Sequence, residues 1–443
     1  MRLIPVLSCL ALGAAASSGA IAAGAPRAPL PRATPRSEGL SGARLRHMSE
    51  FFKIAAARHE APGYVMLVAR HGKLVFSSAA GYRNIERREP MTLDTRFRIA
   101  SMTKPVTCVA VLMLYEEGRF HLDDPVARFL PEFAHSRVFT GIDAAGNVTT
   151  EPAKRPITIR DLLTQQSGLG YAAGFDTVTP LAKAYAALKL DPHATLAESV
   201  RRIAAMPLYF QPGEGWRYSY ADDVLGRLVE VVSGMPFAKF LNERLFTPLG
   251  MKSTGFYIPE SARSSLATPY RRDGDGELEP SRLPWAGWLL DPTDPTVSPS
   301  GGAGLISTAG DYLRFAQMLA DGGSFDGREY LSPVTVDLMT HNQVPPDAME
   351  KYWGADSVGL GYGLGVGVEI DARHAPQAGF NGDYAWGGIL DTHWLASPKT
   401  GIVAVLMTQI DPVGGQASGR TDTDFRNLLF AAVGSALRGS SGK

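Results

Sequence analysis

Cysteine is scarce, with two in 443 residues. Two thiols cannot build a disulfide scaffold. Cys9 falls in a segment read below as removable, which leaves Cys108 without an intramolecular partner. Clustered thiolates and imidazoles are absent too, so no zinc site of the cysteine type is expected, and no metal is called for. Charge of either sign is not in excess: 44 Lys+Arg balance 44 Asp+Glu, for a net of +0. A nucleic-acid partner needs a basic face to displace counterions, and composition offers none. Beyond the N-terminus no apolar window is long enough to span a bilayer. No serine sits in a Gly-x-Ser-x-Gly elbow, which removes the usual strained nucleophile of serine–histidine hydrolases. What is present is a 45% hydrophobic, 20% charged chain. It is too apolar to stay disordered, and long enough for one large domain or two to three small ones.

The first 22 residues read as a signal peptide. Arg2 gives a positive start, Leu3 to Ala16 a short apolar stretch, and Ala20-Ile21-Ala22 the small residues of a cleavage site. Cleavage after Ala22 or Ala23 predicts an exported protein, periplasmic or secreted, with no stable membrane span afterwards. Pro5, Gly and Ser dilute the stretch too much for an anchor. Val6-Leu7-Ser8-Cys9 comes too early for a lipoprotein signal. Residues 23–36 are a Pro/Ala-rich linker.

Residues 37–439 then form the folded body. Leu45, Met48, Phe52 and Ala55 recur at helical spacing within Leu40–Arg58. Tyr64–Arg70 and Leu74–Ala80, joined by His71-Gly72-Lys73, predict a β-hairpin. Thr103–Glu117 is apolar almost all round, hence a buried helix, and Gly118 ends it. From Phe120 to Leu290 the pattern is helical and irregular. Helices are expected at Ile159–Gln165, Leu196–Ala205, Ala221–Val232 and Pro236–Leu245, then at Ala309–Leu319 and Pro333–Met339. Strand patterns return at Tyr362–Ile370, Gly387–Ala396 and Ile402–Gln409, before a closing helix at Thr423–Leu437. Strands at both ends and helices between predict an α/β (α+β) chain. Its sheet lobe covers about 37–105 and 300–439, and its helical lobe about 106–299.

The sharpest local feature is Ser101-Met102-Thr103-Lys104-Pro105. Serine and lysine three apart at a helix start share one face. Pro105 suits a first turn, where a missing N–H costs nothing. Free N–H groups and the positive end of the helix dipole meet there and favour an oxyanion. A serine needs a base to become nucleophilic. Burial against an apolar helix would depress the lysine pKa and let it serve as that base. The same spacing recurs at Ser440–Lys443, in a polar tail with no buried helix to neutralise the lysine. His393 and His341 are conceivable triad bases, but a lone histidine in a strand or helix is more often structural.

Several motifs in order resemble the serine β-lactamase-related family: class C β-lactamases, penicillin-binding DD-peptidases and, nearest, family VIII carboxylesterases. They are Phe97–Pro105, Glu117-Gly118-Arg119-Phe120, Leu122–Val126, Ile157–Thr164 with Ser167-Gly168-Leu169, Tyr218-Ser219-Tyr220 and Gly302–Thr308. The resemblance spans Glu38 to Leu437, nearly the whole body. It implies a β-lactamase/transpeptidase-like fold, with an antiparallel sheet flanked by terminal helices beside a mostly helical lobe.

The resemblance also implies a serine hydrolase, with Ser101 as nucleophile and Lys104 and Tyr218 as the proton-handling pair. Lys399-Thr400-Gly401 matches the family's third motif by letter, but Ser397-Pro398 before it and strands on either side make it a turn. The better counterpart is Trp386-Gly387-Gly388, as in family VIII esterases. There the N–H of Ile389, with that of Ser101, would form the oxyanion hole. Tryptophan in place of lysine removes a cation for carboxylate-bearing β-lactams and points to neutral ester substrates. Tyr220 stands where lactamases carry a substrate-binding asparagine. No cofactor is implied. The rivals are a class C-like β-lactamase or D-amino-acid peptidase, an acyltransferase, and a silent envelope binding protein. Gln165 reads as an exposed helix end, Asp223 as a helix cap or salt-bridge partner, and Trp285 and Trp288 as residues of a loop that could roof an acyl pocket.

Overall fold

The computed structural model describes residues 29–171, 179–188, 190–283, 291–412 and 419–434. The N-terminal stretch expected to be a signal peptide, and Trp285 and Trp288, lie outside them.

Eight strands form one antiparallel sheet. They are β1 (Gly63–Arg70), β2 (Lys73–Asn84), β3 (Glu89–Pro90), β4 (Leu360–Tyr362), β5 (Gly367–Glu369), β6 (Tyr384–Gly388), β7 (Thr392–Ser397) and β8 (Ile402–Met407). Their order is β4-β5-β6-β7-β8-β1-β2-β3. The first and last parts of the chain therefore meet at the β1–β8 pair, in register from Val65 opposite Met407 to Arg70 opposite Ile402. Both strands are buried along their length because each side of the sheet is covered. Side chains alternate between faces. Tyr64, Met66 and Val68 join Ala404 and Leu406 in a core with the terminal helices α1 (Gly42–Ala57) and α6 (Gly419–Ala431). Val65, Leu67, Val403 and Val405 turn the other way, into the main core.

That main core holds α2 (Thr103–Glu116), α3 (Ala221–Ser233) and α4 (Ala309–Ala320). Every α2 residue from Thr103 to Leu114 is buried, as an all-apolar helix must be. The α1 helix starts where Ser41 accepts the Arg44 N–H and buries Leu45, Met48, Phe52 and Ala55, the four residues its spacing singled out. Residues 31–33 lie against β2, where the main chains of Pro31 and Ala33 bond to Leu74, and Leu30 beside them is buried.

Several predicted boundaries move. Tyr362–Ile370 is not one strand but β4 and β5, folded at Gly363–Gly365, with Gly365 at φ +88°. Gly387–Ala396 is likewise broken by a turn at Ile389–Asp391, and β6 begins earlier, at Tyr384. Continuous apolar character hid both reversals. Pro236–Leu245 becomes a short α-helix (Phe237–Leu241), a π turn (Asn242–Phe246) and one further turn. The helix from Ile159 stops at Leu163. The middle of the chain also contains two hairpins, 137–152 and 270–280, that the helical reading missed. Lys399-Thr400-Gly401 is the turn between β7 and β8, with Gly401 at φ +68°.

Candidate active site

The serine is placed by a rigid lead-in. Arg96–Arg98 pairs with Ile306–Thr308. The Gln409 side chain clasps Arg98 on both sides, accepting from its N–H at 3.1 Å and donating to its carbonyl at 3.0 Å. Ile99 N–H then bonds to Leu305. The chain next turns sharply: Ala100 sits at φ +44°, a left-handed conformation that costs a β-carbon-bearing residue energy. Ser101 occupies the 3₁₀ turn Ala100–Met102 that feeds α2, and is partly exposed. An elbow is thus built without the glycine signature that would have announced it.

Lys104, one turn on, is wholly buried. Its Nζ donates to the Gly302 carbonyl at 2.7 Å and hydrogen-bonds to Tyr218, whose ring centroid is 4.4 Å away. The ring of Tyr171 lies 5.5 Å off on another side. The electrostatics correct the sequence reading. Burial does pull the Lys104 pKa down, but Tyr218, Asp222 and Asp223 outweigh it, and the net shift is upward. That direction favours the ammonium form of Lys104.

Behind it lies a polar network that motifs did not disclose. Gln165 is fully buried rather than exposed, at φ +59°. Its Nε2 donates to Asp222 Oδ2 at 2.7 Å, and its Oε1 accepts from Ser219 Oγ at 2.7 Å. Arg217 N–H bonds to the Gln165 carbonyl, and Tyr220 N–H to that of Gly170, so the tyrosine motif is zipped to this segment. Burial pushes the Asp222 carboxyl up to about 6. Asp223 neither caps α3 nor makes a salt bridge: Tyr220 holds the N-cap position, and Asp223 Oδ1 instead accepts from Ser300 Oγ at 2.7 Å. Their signal was available as two consecutive acids opening an apolar helix.

Tyr218 forms one end of an aromatic wall. Trp386 lies 5.8 Å and Trp353 5.6 Å from it, and those two rings are 5.9 Å apart. Trp216 supports Trp353 at 5.0 Å. Trp353 ends the helix α5 (Ala348–Trp353), which the sequence reading left unassigned. Tyr220 is buried and stacks on Tyr171 at 4.3 Å, so its ring backs the wall.

Opposite, β6 brings Trp386-Gly387-Gly388 against the Ala100–Met102 turn. A β-carbon on Gly388 would come within 2.4 Å of the Ile99 carbonyl oxygen, so only glycine allows this approach. Thr392 Oγ1 donates to the same carbonyl at 3.3 Å. Ile389 packs into a small cluster with Ala100 and Leu390. The structure therefore brings Trp386, Gly387, Gly388 and Ile389 against the turn that carries Ser101, and Tyr218 against Lys104 and Trp386. His393 is excluded: on β7 its neighbours Thr392 and Trp394 point to the Ser101 side, while His393 faces α6, with Asp391 at 2.7 Å and Asp422 at 3.8 Å. His341 is exposed beside Asp337. Among the described residues, no three His, Cys, Asp or Glu side chains converge as metal ligands.

Comparison with known proteins points to one family. The Beta-lactamase family model matches residues 48–426. Protein Rv1367c of Mycobacterium tuberculosis (strain ATCC 25618 / H37Rv) is 39% identical over 362 residues, 79% of this chain and 86% of that protein. Esterase EstB of Burkholderia gladioli is 34% identical over 387 residues, 83% of this chain and 91% of that one. Among solved structures, EstCE1, described as a hydrolase with promiscuous acyltransferase activity, superposes with a TM-score of 0.72 at 31% identity, over 88% of this chain and 98% of its own.

Proposed function

The chain belongs to the β-lactamase family, and from that premise we propose that it is a serine hydrolase cleaving neutral carboxylic esters through an acyl-enzyme on Ser101. The observation that carries the reading is the buried Lys104 ammonium bonded to Tyr218, one helical turn behind a partly exposed serine. In the proposed cycle, Lys104 and Tyr218 share one proton, held as ammonium beside phenolate, and the phenolate oxygen takes the Ser101 Oγ proton as Oγ attacks the ester carbonyl. Lys104 keeps its charge and stabilises the tyrosine oxygen. The tetrahedral oxyanion is met by the N–H groups of Ser101 and Ile389. Collapse expels the alcohol, which leaves with the proton held on Tyr218. Water, deprotonated by the same oxygen, then attacks the acyl carbon and frees Ser101 and the carboxylic acid.

Substrate preference follows from the wall. Trp386 and Trp353 present apolar ring faces, and the nearby ammonium is already engaged by Gly302 and Tyr218. Burying an unpaired substrate carboxylate there is costly, which supports neutral esters over penicillins. A second reading, acyl transfer to an alcohol, draws support from the description of EstCE1.

One panel tests both readings: p-nitrophenyl butyrate and a chromogenic cephalosporin, with wild type and Ser101→Ala, in water and with added alcohol. Ester turnover and an intact-mass acyl adduct, both lost in Ser101→Ala, are expected. Full esterase activity in the alanine variant would overturn the site. Cephalosporin turnover exceeding ester turnover would overturn the substrate class. We also propose export, supported by the N-terminal pattern Arg2, Leu3–Ala16 and Ala20-Ile21-Ala22. A mature N-terminus near Ala23 in an extracytoplasmic fraction is the expected result.

A further inference from the structure

Lys104 has two carboxylates for neighbours, yet neither takes its hydrogens. Its direct partners are the Gly302 carbonyl and Tyr218. What fixes Gly302 is Asp223. Its Oδ1 accepts the Ser300 hydroxyl at 2.7 Å and the Gly302 N–H at 3.4 Å, gripping both ends of the Ser300–Gly302 segment. Its Oδ2 is buried with no hydrogen-bond partner. A leftover buried carboxylate oxygen is costly unless a charge answers it. The answer lies across Gly302: a β-carbon built there would meet Asp223 Oδ2 at 3.0 Å, Lys104 Nζ at 3.3 Å and Tyr171 Oη at 3.6 Å. These three polar atoms converge on the space that a β-carbon would fill.

We propose that Asp223 is a positioning residue for the Lys104–Tyr218 pair: it clamps Ser300–Gly302 so that the Gly302 carbonyl takes one ammonium hydrogen and leaves another for Tyr218, and it faces its unbonded oxygen to the ammonium across Gly302 as counter-charge. This rests on the reading of Ser101, Lys104 and Tyr218 given above. A direct ion pair would draw the ammonium away from Tyr218; a carboxylate held at one remove supplies the field and leaves the hydrogens to the reaction. The titratable groups facing Lys104 are Cys108 from α2, Asp222 and Asp223 from α3, and Tyr171 and Tyr218 from the flanking segments, with Tyr362 of β4 reached through Asp222, Cys108 and Tyr218. Among the acids, Asp222 has both oxygens engaged, by Gln165 and the Cys108 thiol, and Asp223 does not.

The test is the pH dependence of kcat and KM for p-nitrophenyl butyrate. Asp223→Asn can still accept from Ser300 and Gly302 but carries no charge. Its kcat is expected to fall about tenfold or more, with KM within about twofold. The alkaline limb of kcat should move toward acid by about one pH unit, because a less supported ammonium gives up its proton sooner. Ser300→Ala, which keeps the charge and loosens the clamp, is expected to lower kcat with the limb in place. If Asp223→Asn does not fold, Gly302→Ala puts a methyl between the two charges and should give the same acid shift. An alkaline limb absent from wild type, or unmoved in Asp223→Asn or Gly302→Ala, overturns the proposal. Acylation of Ser101 by intact mass separates this from the function itself: no adduct on wild type defeats the hydrolase reading, whereas a normal adduct with an unmoved limb defeats only the role of Asp223.

Discussion

Two of the places where carboxylates are buried in this molecule are wired differently. Beneath α6, Glu369 of β5 meets Arg426 directly, at 2.9 Å, with both side chains almost wholly buried. Arg426 also donates to the Ala378 carbonyl. Behind Lys104, Asp222 and Asp223 bond to an amide, a hydroxyl, a thiol and a main-chain N–H, while the ammonium bonds elsewhere. The first arrangement cancels charge and closes a seam between helix and sheet. The second keeps a charged hydrogen-bond donor uncommitted to an acid, at the cost of neutral partners recruited from three chain segments. A stability site and a reaction site can therefore be told apart by whether the opposite charges touch.

The largest expected effect tests whether the second arrangement serves Ser101 at all. Ser101→Ala should lower kcat/KM for a p-nitrophenyl ester by about 10⁴-fold or more with an unchanged melting temperature, since the residue is partly exposed. Next comes the seam. Arg426→Met strands Glu369 without its partner and should cost about 3–5 kcal/mol in urea unfolding. Activity per folded molecule should hardly change; a specific activity collapsing with stability would erase the distinction drawn here. The seam also carries a pH signature. Burial, with Asp383 adding to it, pushes Glu369 up to about 7 from the ordinary 4.5 against the pull of Arg426. The folded state then binds the proton more tightly than the unfolded one. This residue's contribution to stability is therefore greatest below about pH 4.5 and declines as pH rises toward 7. Glu369→Gln should flatten that slope in thermal melts.

Smaller again is Tyr218→Phe, which keeps the ring in the aromatic wall and deletes the proton acceptor. A fall in kcat of about 10²- to 10⁴-fold, with little change in KM, is expected. A variant near wild type would return the role of base to Lys104, and the purpose of holding its charge would disappear.

These contrasts show why parts of the site were legible in sequence and parts were not. The serine, lysine and tyrosine could be read because helix periodicity and motif order constrain them locally. The Trp386-Gly387-Gly388 strand could be read because it resembles the Trp-Gly-Gly of family VIII esterases; here its last glycine answers a steric demand, the 2.4 Å approach to Ile99. The sign of the Lys104 shift could not be read. It depends on acids more than 100 positions away in the chain, and burial, a term that the apolar helix did suggest, acts in the opposite direction. Gln165 was misread for a similar reason: a polar residue at a helix end is ordinarily exposed, and only its long-range partners Asp222 and Ser219 bury it. The β6–β7 reversal was hidden because Ile389 and Leu390 stay apolar through the turn, leaving Asp391, at φ +67°, as its single local mark.

The smallest effect concerns the wall, where no charge is at stake. Trp353 touches Trp216, Tyr218 and Trp386 and is half-buried, so part of its face is left for a ligand. Truncating such a ring removes stacking of about 0.5–1.5 kcal/mol beyond simple area, a factor of about two to ten in an equilibrium constant. If that face meets substrate, Trp353→Ala should raise KM by this factor for an aryl ester and less for a short alkyl ester, with kcat unchanged. If Trp353 instead only braces Tyr218, the same variant lowers kcat for both esters and leaves KM alone. Measuring the two esters side by side decides whether the wall is for recognition or for support, because a brace acts on the proton acceptor whatever the substrate carries.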